Sequence, residues 1–210
     1  MTAISALLSI LEDSISMVPL EAISRQLETL VNDRDNRVAE RAGWWGVAPK
    51  YRSVEDEHDL EVVGLLVGSG FVLGQTAIIQ TVSVVRKLRK LAGNPSWLPN
   101  GKASIMSMEA AIHPATGLSK IILFDAVANY FKHHHEWPPD WRGAAGAQQR
   151  TIDVVLRLGL VPEGEDNLRV ALQNLGMNTN NMSLMVGDIR DWRERLAKNL
   201  RKQLHNHGLG

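Results

Sequence analysis

Apolar side chains recur every three or four residues along almost the whole chain, as they do on the buried face of an amphipathic helix. No segment alternates between apolar and polar residues for long enough to indicate a β-strand. The first apolar stripe lies within residues 7–15, and Pro19 then allows a second helix that ends near residues 42–43. Residues 44–53 contain glycine, proline and aromatic side chains and are predicted to form a loop. The pattern therefore predicts an all-α protein.

The longest predicted helix covers residues 54–91. It begins with acidic side chains and ends with basic ones, which is the charge distribution that complements a helix macrodipole. Its middle, residues 62–79, is apolar with four glycines, and about 18 apolar residues with regularly spaced small residues are typical of a membrane span. However, Gln75, Thr76 and the glycines lower its hydrophobicity, and no aromatic belt flanks it. We therefore predict a buried central helix and no membrane span.

Glycines and prolines separate the remaining apolar stripes from one another. After a turn-rich segment at 94–101, these stripes predict helices over residues 118–135, 141–158, 162–175 and 182–204. No internal repeat, low-complexity tract or clear linker divides the chain. We therefore predict one domain over residues 1–210, a single helical bundle with a long, largely buried central helix.

The composition is that of a globular protein with enough apolar residues for a core. The 210 residues are 44% hydrophobic and 22% charged, which excludes a disordered or fibrous chain. The 23 basic side chains equal the 23 acidic ones, so attraction to nucleic acid or anionic lipid has to come from a local patch. The absence of cysteine excludes disulfides, thiol catalysis and thiolate metal sites. Together with an N-terminus that does not resemble a signal peptide, it predicts a cytoplasmic protein.

Three adjacent histidines, His133, His134 and His135, are the first candidate for a metal site. On a helix, neighbouring side chains point about 100° apart, whereas one ion needs ligands three or four residues apart or from separate elements. The triplet by itself therefore does not bind one ion, and no other part of the chain shows a recognised ligand spacing. We expect neither a metal nor another cofactor.

A second pattern in the same segment is a polar stripe along the predicted helix. Asp125, Asn129 and His133 follow one another at intervals of four residues, so they share one helix face. The amide of Asn129 both donates and accepts hydrogen bonds, and an imidazole titrates at about pH 6.5, which suits proton transfer. The stripe is therefore a candidate acid–base site. The alternative is an ordinary solvated helix face, on which the same residue types are common.

The segment Asn129-Tyr130-Phe131-Lys132-His133 resembles the core motif of the HEPN family. That motif is an Arg followed after four to six residues by a His, with a polar residue, often Asn, next to the Arg. The resemblance covers this short part of one helix. It implies a small all-helical bundle, often dimeric, from a family with many metal-independent RNA-cleaving enzymes of bacterial toxin, abortive-infection and antiphage systems. It also implies that His133 is the catalytic histidine and Asn129 the polar helper, while the family's Arg falls on Ala128.

The cationic position of the motif is thus vacant. RNA cleavage through attack by a 2′-hydroxyl builds negative charge on the phosphate, and a cation directed at that charge contributes a large stabilisation. Lys132 and Arg142 are candidates for this role, although an ammonium lacks the bidentate geometry of a guanidinium. The candidate catalytic residues are His133, Asn129, Lys132 and Asp125.

Basic side chains in the last predicted helix are candidates for binding the RNA backbone. Arg190 and Arg193 flank Trp192, whose ring is a candidate for stacking on a base, and Arg142 adds a third arginine. The alternative is a solvated helix face with Trp192 in the core, because Trp192 lies on the apolar stripe. The candidate RNA-binding residues are Arg142, Arg190 and Arg193.

These observations predict a HEPN-like, metal-independent RNA-cleaving or RNA-binding protein of a bacterial defence or toxin system, which acts as a homodimer or with a partner protein. Because of Ala128, the sequence leaves open whether the protein is an enzyme. The main alternative is a non-catalytic helical dimerisation or regulatory module, and a third is a membrane-acting effector that releases residues 62–79 from the core. An enzyme requires Asn129 and His133 in a cleft with a cation within about 6 Å, whereas an interface requires a flat patch with an apolar rim.

Overall fold

A computed structural model describes residues 3–13, 17–45 and 54–209, except for the side chains of residues 42–45. Within these ranges the chain is helical, and its β-type pairing is limited to an isolated bridge between Ile112 and Ser119. The prediction of an all-α helical bundle is confirmed. In chain order the α-helices are α1 (Ala3–Glu12), α2 (Val18–Trp45), α3 (Val54–Leu91), α4 (Lys102–Ser107), α5 (Lys120–His133), α6 (Gly146–Arg157), α7 (Asn167–Asn174) and α8 (Ser183–Asn206).

The 38 residues of α3 form one uninterrupted helix, which has a length of about 57 Å. This helix contacts α1, α2, α4, α5, α7 and α8. Its buried side includes Val67, Phe71 and Val85, each of which is at most 1% exposed. The predicted long central helix is confirmed. That residues 1–210 form one domain stays a prediction.

Glycines in α3 let neighbouring helices approach its backbone closely. A Cβ added at Gly68 would lie 2.1 Å from the ring of Phe131 in α5, well inside contact distance. At Gly74 it would lie 3.0 Å from the terminal methyl of Met185 in α8. These glycines therefore make room for α5 and α8 against the central helix.

Among the described helices, α3 is the one long and apolar enough to cross a membrane, with a mean hydropathy of 2.0 over an 18-residue window. Half of that window is buried inside the protein. The core helix of a soluble protein gives the same result, so this single helix is weak evidence for a membrane span. The expectation of no membrane span stays a prediction.

Two buried carboxylates near the start of α3 bind arginines of α2. Asp59 accepts hydrogen bonds from Arg34 at 2.5 Å and from Arg41 at 2.6 Å. Asp56 accepts from Arg41 at 2.5 Å. Hydrogen bonds from Arg41 and then Arg34 lower the pKa of Asp59 to about 2, because they stabilise the carboxylate. The charge pattern predicts only a macrodipole role for these acids, whereas the structure also uses them to fix α2 on α3.

Acid is expected to weaken this α2–α3 contact. The pKa of Asp59 falls from an ordinary 3.8 to about 2 on folding, so its stabilisation is complete above pH 3.8 and is lost as the pH falls through 2. Urea unfolding across this range should show a smaller loss of stability in Asp59→Asn than in wild type. Asp140→Asn, at an aspartate whose side chain is 64% exposed, is the control and should match wild type. Equal losses in wild type and Asp59→Asn would contradict the assignment.

The helix predicted over residues 141–158 begins later, at Gly146. Trp141 is instead buried in a turn with a φ of 58°, where its N–H donates to the carbonyl of Pro138 at 2.8 Å. Its ring packs edge-on against Trp137, with ring centroids 5.6 Å apart. A left-handed backbone at this residue does not continue a right-handed helix, so the aromatic turn delays the start of α6.

The helix predicted over residues 162–175 also begins later, at Asn167. The side chain of Asn167 closes the preceding turn, because its Oδ1 accepts from the N–H of Val161 at 3.0 Å and its Nδ2 donates to the Val161 carbonyl at 2.7 Å. Glu163 lies within that turn with a φ of 55°. The acidic residues at positions 163, 165 and 166 therefore lie in a loop before α7.

The other predicted helices agree with the structure to within a few residues at their ends. Helix α5 begins at Lys120 and is followed by a 3-10 turn over His134–Glu136. The sequence pattern does not predict α4, because its six residues are too few to show a helical repeat. Helix α2 extends to Trp45, whereas Ile15 and the rest of the predicted loop, 46–53, lie outside the described residues.

Candidate functional site

Helix α5 carries the predicted site residues, and its first turn is fixed by a cap that also contacts α4. The hydroxyl of Ser119 accepts from the N–H of Ile122 at 3.1 Å and donates to the carbonyl of Met106 at 2.8 Å. Phe124 and Val127 are fully buried and hold one side of α5 in the core. Asp125, Asn129 and Lys132, on the other side of α5, contact side chains of α3 and α4.

Five side chains of α3, α4 and α5 form a hydrogen-bonded group that we call the polar cluster: Gln75, Lys102, Asp125, Asn129 and Lys132. The ammonium of Lys102 donates to both carboxylate oxygens of Asp125, at 2.7 and 2.6 Å. Nε2 of Gln75 donates to Oδ1 of Asp125 at 2.8 Å and to Oδ1 of Asn129 at 3.0 Å. The ammonium of Lys132 donates to Oε1 of Gln75 at 2.7 Å. Gln75 therefore links the amide of Asn129 to the positive charge of Lys132.

The polar cluster is closed on its inner side and open on its outer side. Asp125 and Gln75 are each 6% exposed, and Nδ2 of Asn129 donates to Oδ2 of Asp125 at 3.4 Å. Lys102 keeps 35% of its side chain exposed, and Lys132 is exposed. Two ammonium groups and one carboxylate leave a net positive charge, which attracts an anion such as phosphate.

His133 ends α5 and lies outside the polar cluster. Its Nδ1 is 3.3 Å from Oε1 of Glu136, and 48% of its side chain is exposed. Among the described residues, no hydrogen bond joins His133 to Asn129. The stripe predicted from four-residue spacing is thus realised for Asp125 and Asn129 but not for His133, because the helix ends there with a φ of −127°.

Ala128, where the HEPN motif has its Arg, is fully buried in the core. An arginine at this position would bury its guanidinium among apolar side chains, and burying an unpaired charge is strongly unfavourable. An arginine at this position is therefore incompatible with the packed core of this fold. On the polar side of α5, Lys132 and Lys102 supply the positive charges of the polar cluster.

A cleft of about 1130 Å³ lies between α3, the end of α5 and the start of α7. Its lining includes Tyr130 and His134, which stack with ring centroids 4.8 Å apart, together with four acidic side chains. Burial raises the pKa of Tyr130, whose hydroxyl accepts from Nδ2 of Asn167 at 2.9 Å, so the phenol is neutral at physiological pH. Asn129 and His133 do not line this cleft, so it does not meet the requirement of an enzyme site for a cleft that contains both residues. Four carboxylates against one arginine, Arg169, give the cleft a net negative lining, which disfavours phosphate.

The three arginines predicted to bind RNA have three different environments. Arg142 is accessible, with 90% of its side chain exposed. Arg190 pairs with Glu21 of α2 at 2.6 Å. Arg193 is 7% exposed and donates to the carbonyl of Ile10 at 2.9 Å, and burial lowers its pKa. The prediction for Arg193 is therefore corrected, because this side chain packs α8 against α1 and is inaccessible to RNA.

Trp192 is fully buried, and its Nε1 donates to the carbonyl of Met108 at 2.9 Å. A ring in this position cannot stack on a base. The core position indicated by the apolar stripe is the correct interpretation of Trp192.

Sequence reasoning missed two members of the polar cluster, Gln75 and Lys102. The signal for Gln75 is a single amide in an apolar helix segment, since a buried amide requires a hydrogen-bond partner. Lys102 gives no such signal. It reaches Asp125, 23 residues further along the chain, only because α4 packs on α5.

The polar cluster and His133 together offer amide donors, ammonium groups and an imidazole, which suit binding to phosphate and proton transfer. In residues 3–13, 17–45 and 54–209, no three histidine, aspartate or glutamate side chains group as a metal site requires. A scan against protein-family models and searches of curated proteins and of solved structures found no match to this chain. The resemblance to the HEPN family stays a prediction.

Proposed function

We propose that this protein binds RNA at the outer side of the polar cluster and cleaves it without a metal ion, as a HEPN-like enzyme of a bacterial defence or toxin system in the cytoplasm. The observation that supports this function is the link through Gln75 between the amide of Asn129 and the ammonium of Lys132. It supplies a cation beside the polar residue of the motif, although Ala128 stands where the family has Arg.

In this proposal His133 is the general base, with Glu136 as the carboxylate that orients it. In the tautomer protonated at Nδ1, the N–H donates a hydrogen bond to Oε1 of Glu136, at 3.3 Å, and the lone pair of Nε2 is free to accept a proton. Nε2 takes the proton of a 2′-hydroxyl, the 2′-oxygen bonds to phosphorus, and the bond from phosphorus to the 5′-oxygen breaks. The imidazolium returns the proton to the 5′-oxygen, which leaves a 2′,3′-cyclic phosphate and a 5′-hydroxyl. Lys132 stabilises the negative charge on the phosphate during this step.

The test is incubation of the purified protein with labelled RNA in EDTA. We expect wild type to cleave, and His133→Ala to lower the rate by about 100-fold or more, the usual contribution of a general base. Lys132→Ala should lower it at least about tenfold through loss of charge stabilisation. His205→Ala is the control, because this histidine is exposed near the end of α8 and should leave the rate unchanged. Cleavage that His133→Ala leaves intact, or RNA that wild type neither cleaves nor binds, would contradict the proposal.

A non-catalytic binding or regulatory module is the second candidate function. It is favoured by the hydrogen bonds within the polar cluster. The carboxylate of Asp125 already accepts from Lys102, Gln75 and Asn129, so it is not free to take part in catalysis. Fluorescence anisotropy with uncleaved RNA separates the two candidates. Intact RNA that binds wild type, with affinity lowered at least about fivefold in Lys132→Ala, would favour this module over the enzyme.

A further inference from the structure

Helix α3 leaves one narrow stripe of its surface exposed or half-buried along its length. The members of this stripe follow one another at alternating intervals of three and four residues, so they lie on a single face. We call its central part the α3 stripe: Leu65, Ser69, Val72, Thr76, Ile79 and Ser83. Leu65 is 59% exposed and Ile79 is 43% exposed, although both are large apolar side chains. Ser69 and Val72 in its middle are half-buried, so the most apolar part of the chain presents a partly uncovered face.

The α3 stripe has the repeat of a coiled-coil seam. Large side chains recur every seven residues at Leu65, Val72 and Ile79. Small hydroxyl side chains recur with the same period, four residues after each large one. This 3.5-residue period is that of the a and d positions of a heptad, with small residues at a and large residues at d. Such a seam packs against a second helix of the same repeat.

The charges at the two ends of the α3 stripe are opposite. Glu57 and Glu61 precede it, and Arg86, Lys87 and Lys90 follow it on or beside the same face. Within the part of the chain that the structure describes, none of these five side chains forms an ion pair. A helix with an acidic end and a basic end complements a copy of itself that runs in the opposite direction.

We propose that the α3 stripe is the interface on which a second copy of this chain packs its own α3 antiparallel, about a two-fold axis near Gly74. In this register Leu65 faces Ser83 of the second copy and Val72 faces Thr76, so that each large side chain meets a small one. Glu61 then lies at the same level along the helix pair as Lys87 of the second copy, so the acidic end of each α3 lies beside the basic end of the other.

The position of the acidic cleft supports a second copy of the chain as the partner. Its lining includes Glu57, Glu61 and Leu65, so it opens beside the N-terminal end of the α3 stripe. The antiparallel arrangement brings the basic end of the second copy's α3 to this acidic region. A copy of the chain therefore satisfies both the apolar repeat and the charges. The inference does not depend on RNA cleavage.

Sedimentation equilibrium of the full chain tests the interface. We expect wild type to be a dimer, and both Glu61→Lys and Lys87→Glu to weaken dimerisation at least about tenfold, because each change reduces the attraction between acidic and basic ends at both ends of the pair. The double variant Glu61→Lys with Lys87→Glu should restore the dissociation constant to within about threefold of wild type. Lys198→Glu on α8 is the control, since this exposed lysine is far from the stripe in sequence and should have no effect.

Cysteine pairing tests the register independently, because the chain has no cysteine of its own. A mixture of Ser69→Cys chains and Ile79→Cys chains should form a disulfide-linked dimer on mild oxidation. Ser69→Cys alone should not, because the two substituted positions would lie about 15 Å apart along the helix pair. Covalent dimers of Ser69→Cys alone would overturn the antiparallel arrangement.

Two further results would overturn the proposal. The first is a wild-type protein that stays monomeric at about 100 µM, a concentration well above the dissociation constant of a stable homodimer. The second is monomeric wild type that sediments with phosphatidylcholine vesicles, which would assign the α3 stripe to a lipid surface. As a control for misfolding, Glu61→Lys and Lys87→Glu should unfold at the wild-type temperature at low protein concentration, where the chains are monomeric.

Discussion

Trp192→Ala is expected to lower the free energy of unfolding by about 3–5 kcal/mol, the usual loss for a fully buried large aromatic side chain. The ring is fully buried, and its Nε1 donates to the carbonyl of Met108 at 2.9 Å. The substitution therefore leaves a cavity in the core and removes the partner of a carbonyl. Denaturant unfolding at neutral pH, followed by circular dichroism, measures the change.

Trp192→Phe is the matched control for this prediction. It keeps most of the apolar volume and loses the hydrogen bond, so we expect a smaller loss of about 1–2 kcal/mol. If Trp192→Ala lost less than about 1 kcal/mol, the side chain would be at the surface, and its role as a stacking residue for RNA would become the better interpretation.

Asp125→Ala is expected to lower the free energy of unfolding by about 2–3 kcal/mol, because it removes a buried carboxylate that accepts hydrogen bonds from three side chains. The carboxylate accepts from the ammonium of Lys102 and from the amides of Gln75 and Asn129. Gln75 is itself buried, and after the substitution its amide keeps Oδ1 of Asn129 and the backbone carbonyl of residue 125 as acceptors. Chemical unfolding at pH 7 measures the loss.

The control for Asp125→Ala is Asp188→Ala, which breaks an ion pair of the same kind in a more exposed place. Asp188 accepts from Lys120 at 2.9 Å, and both side chains keep about 30% of their surface exposed. We expect a loss below about 1 kcal/mol there, the usual range for a solvated pair. Equal losses at the two aspartates would show that the polar cluster is not a buried network.

A double-mutant cycle separates the Asp125–Lys102 pair from the rest of the polar cluster. The variant with both Asp125→Ala and Lys102→Ala should lose at least about 1 kcal/mol less than the sum of the two single variants. Additive losses would contradict a direct interaction between the two charges. The same variants also test function. If the polar cluster serves only stability, the folded fraction of each variant should cleave RNA at the wild-type rate.

The candidate site could be predicted from the sequence only where its residues share one helix. Asp125 and Asn129 lie four residues apart on α5, and local helix geometry alone brings them together. Lys132 joins them through Gln75, which comes from α3, 57 positions away. Spacing within one helix carries no information about such a partner, because it depends on which face of α3 packs against α5.

His133 shows the limit of the same rule at a helix end. The four-residue spacing predicts that His133 continues the line of Asp125 and Asn129, but the helical backbone stops at that residue. The following residues form a 3-10 turn, and the imidazole approaches Glu136 instead. A periodicity argument assumes that the helix continues, so its error is largest at the last residue.

The sequence by itself determined the helical class of this protein and the long central helix, because periodic apolar residues and end charges act through local backbone geometry. The tertiary structure decided which polar side chains are buried and with which partners. Asp56, Asp59 and Arg193 are charged residues of the kind usually found on a solvated helix face, yet each is buried against another helix. Their burial is favourable only because a charged or carbonyl partner from a distant part of the chain is in place, and that placement is a property of the packed bundle.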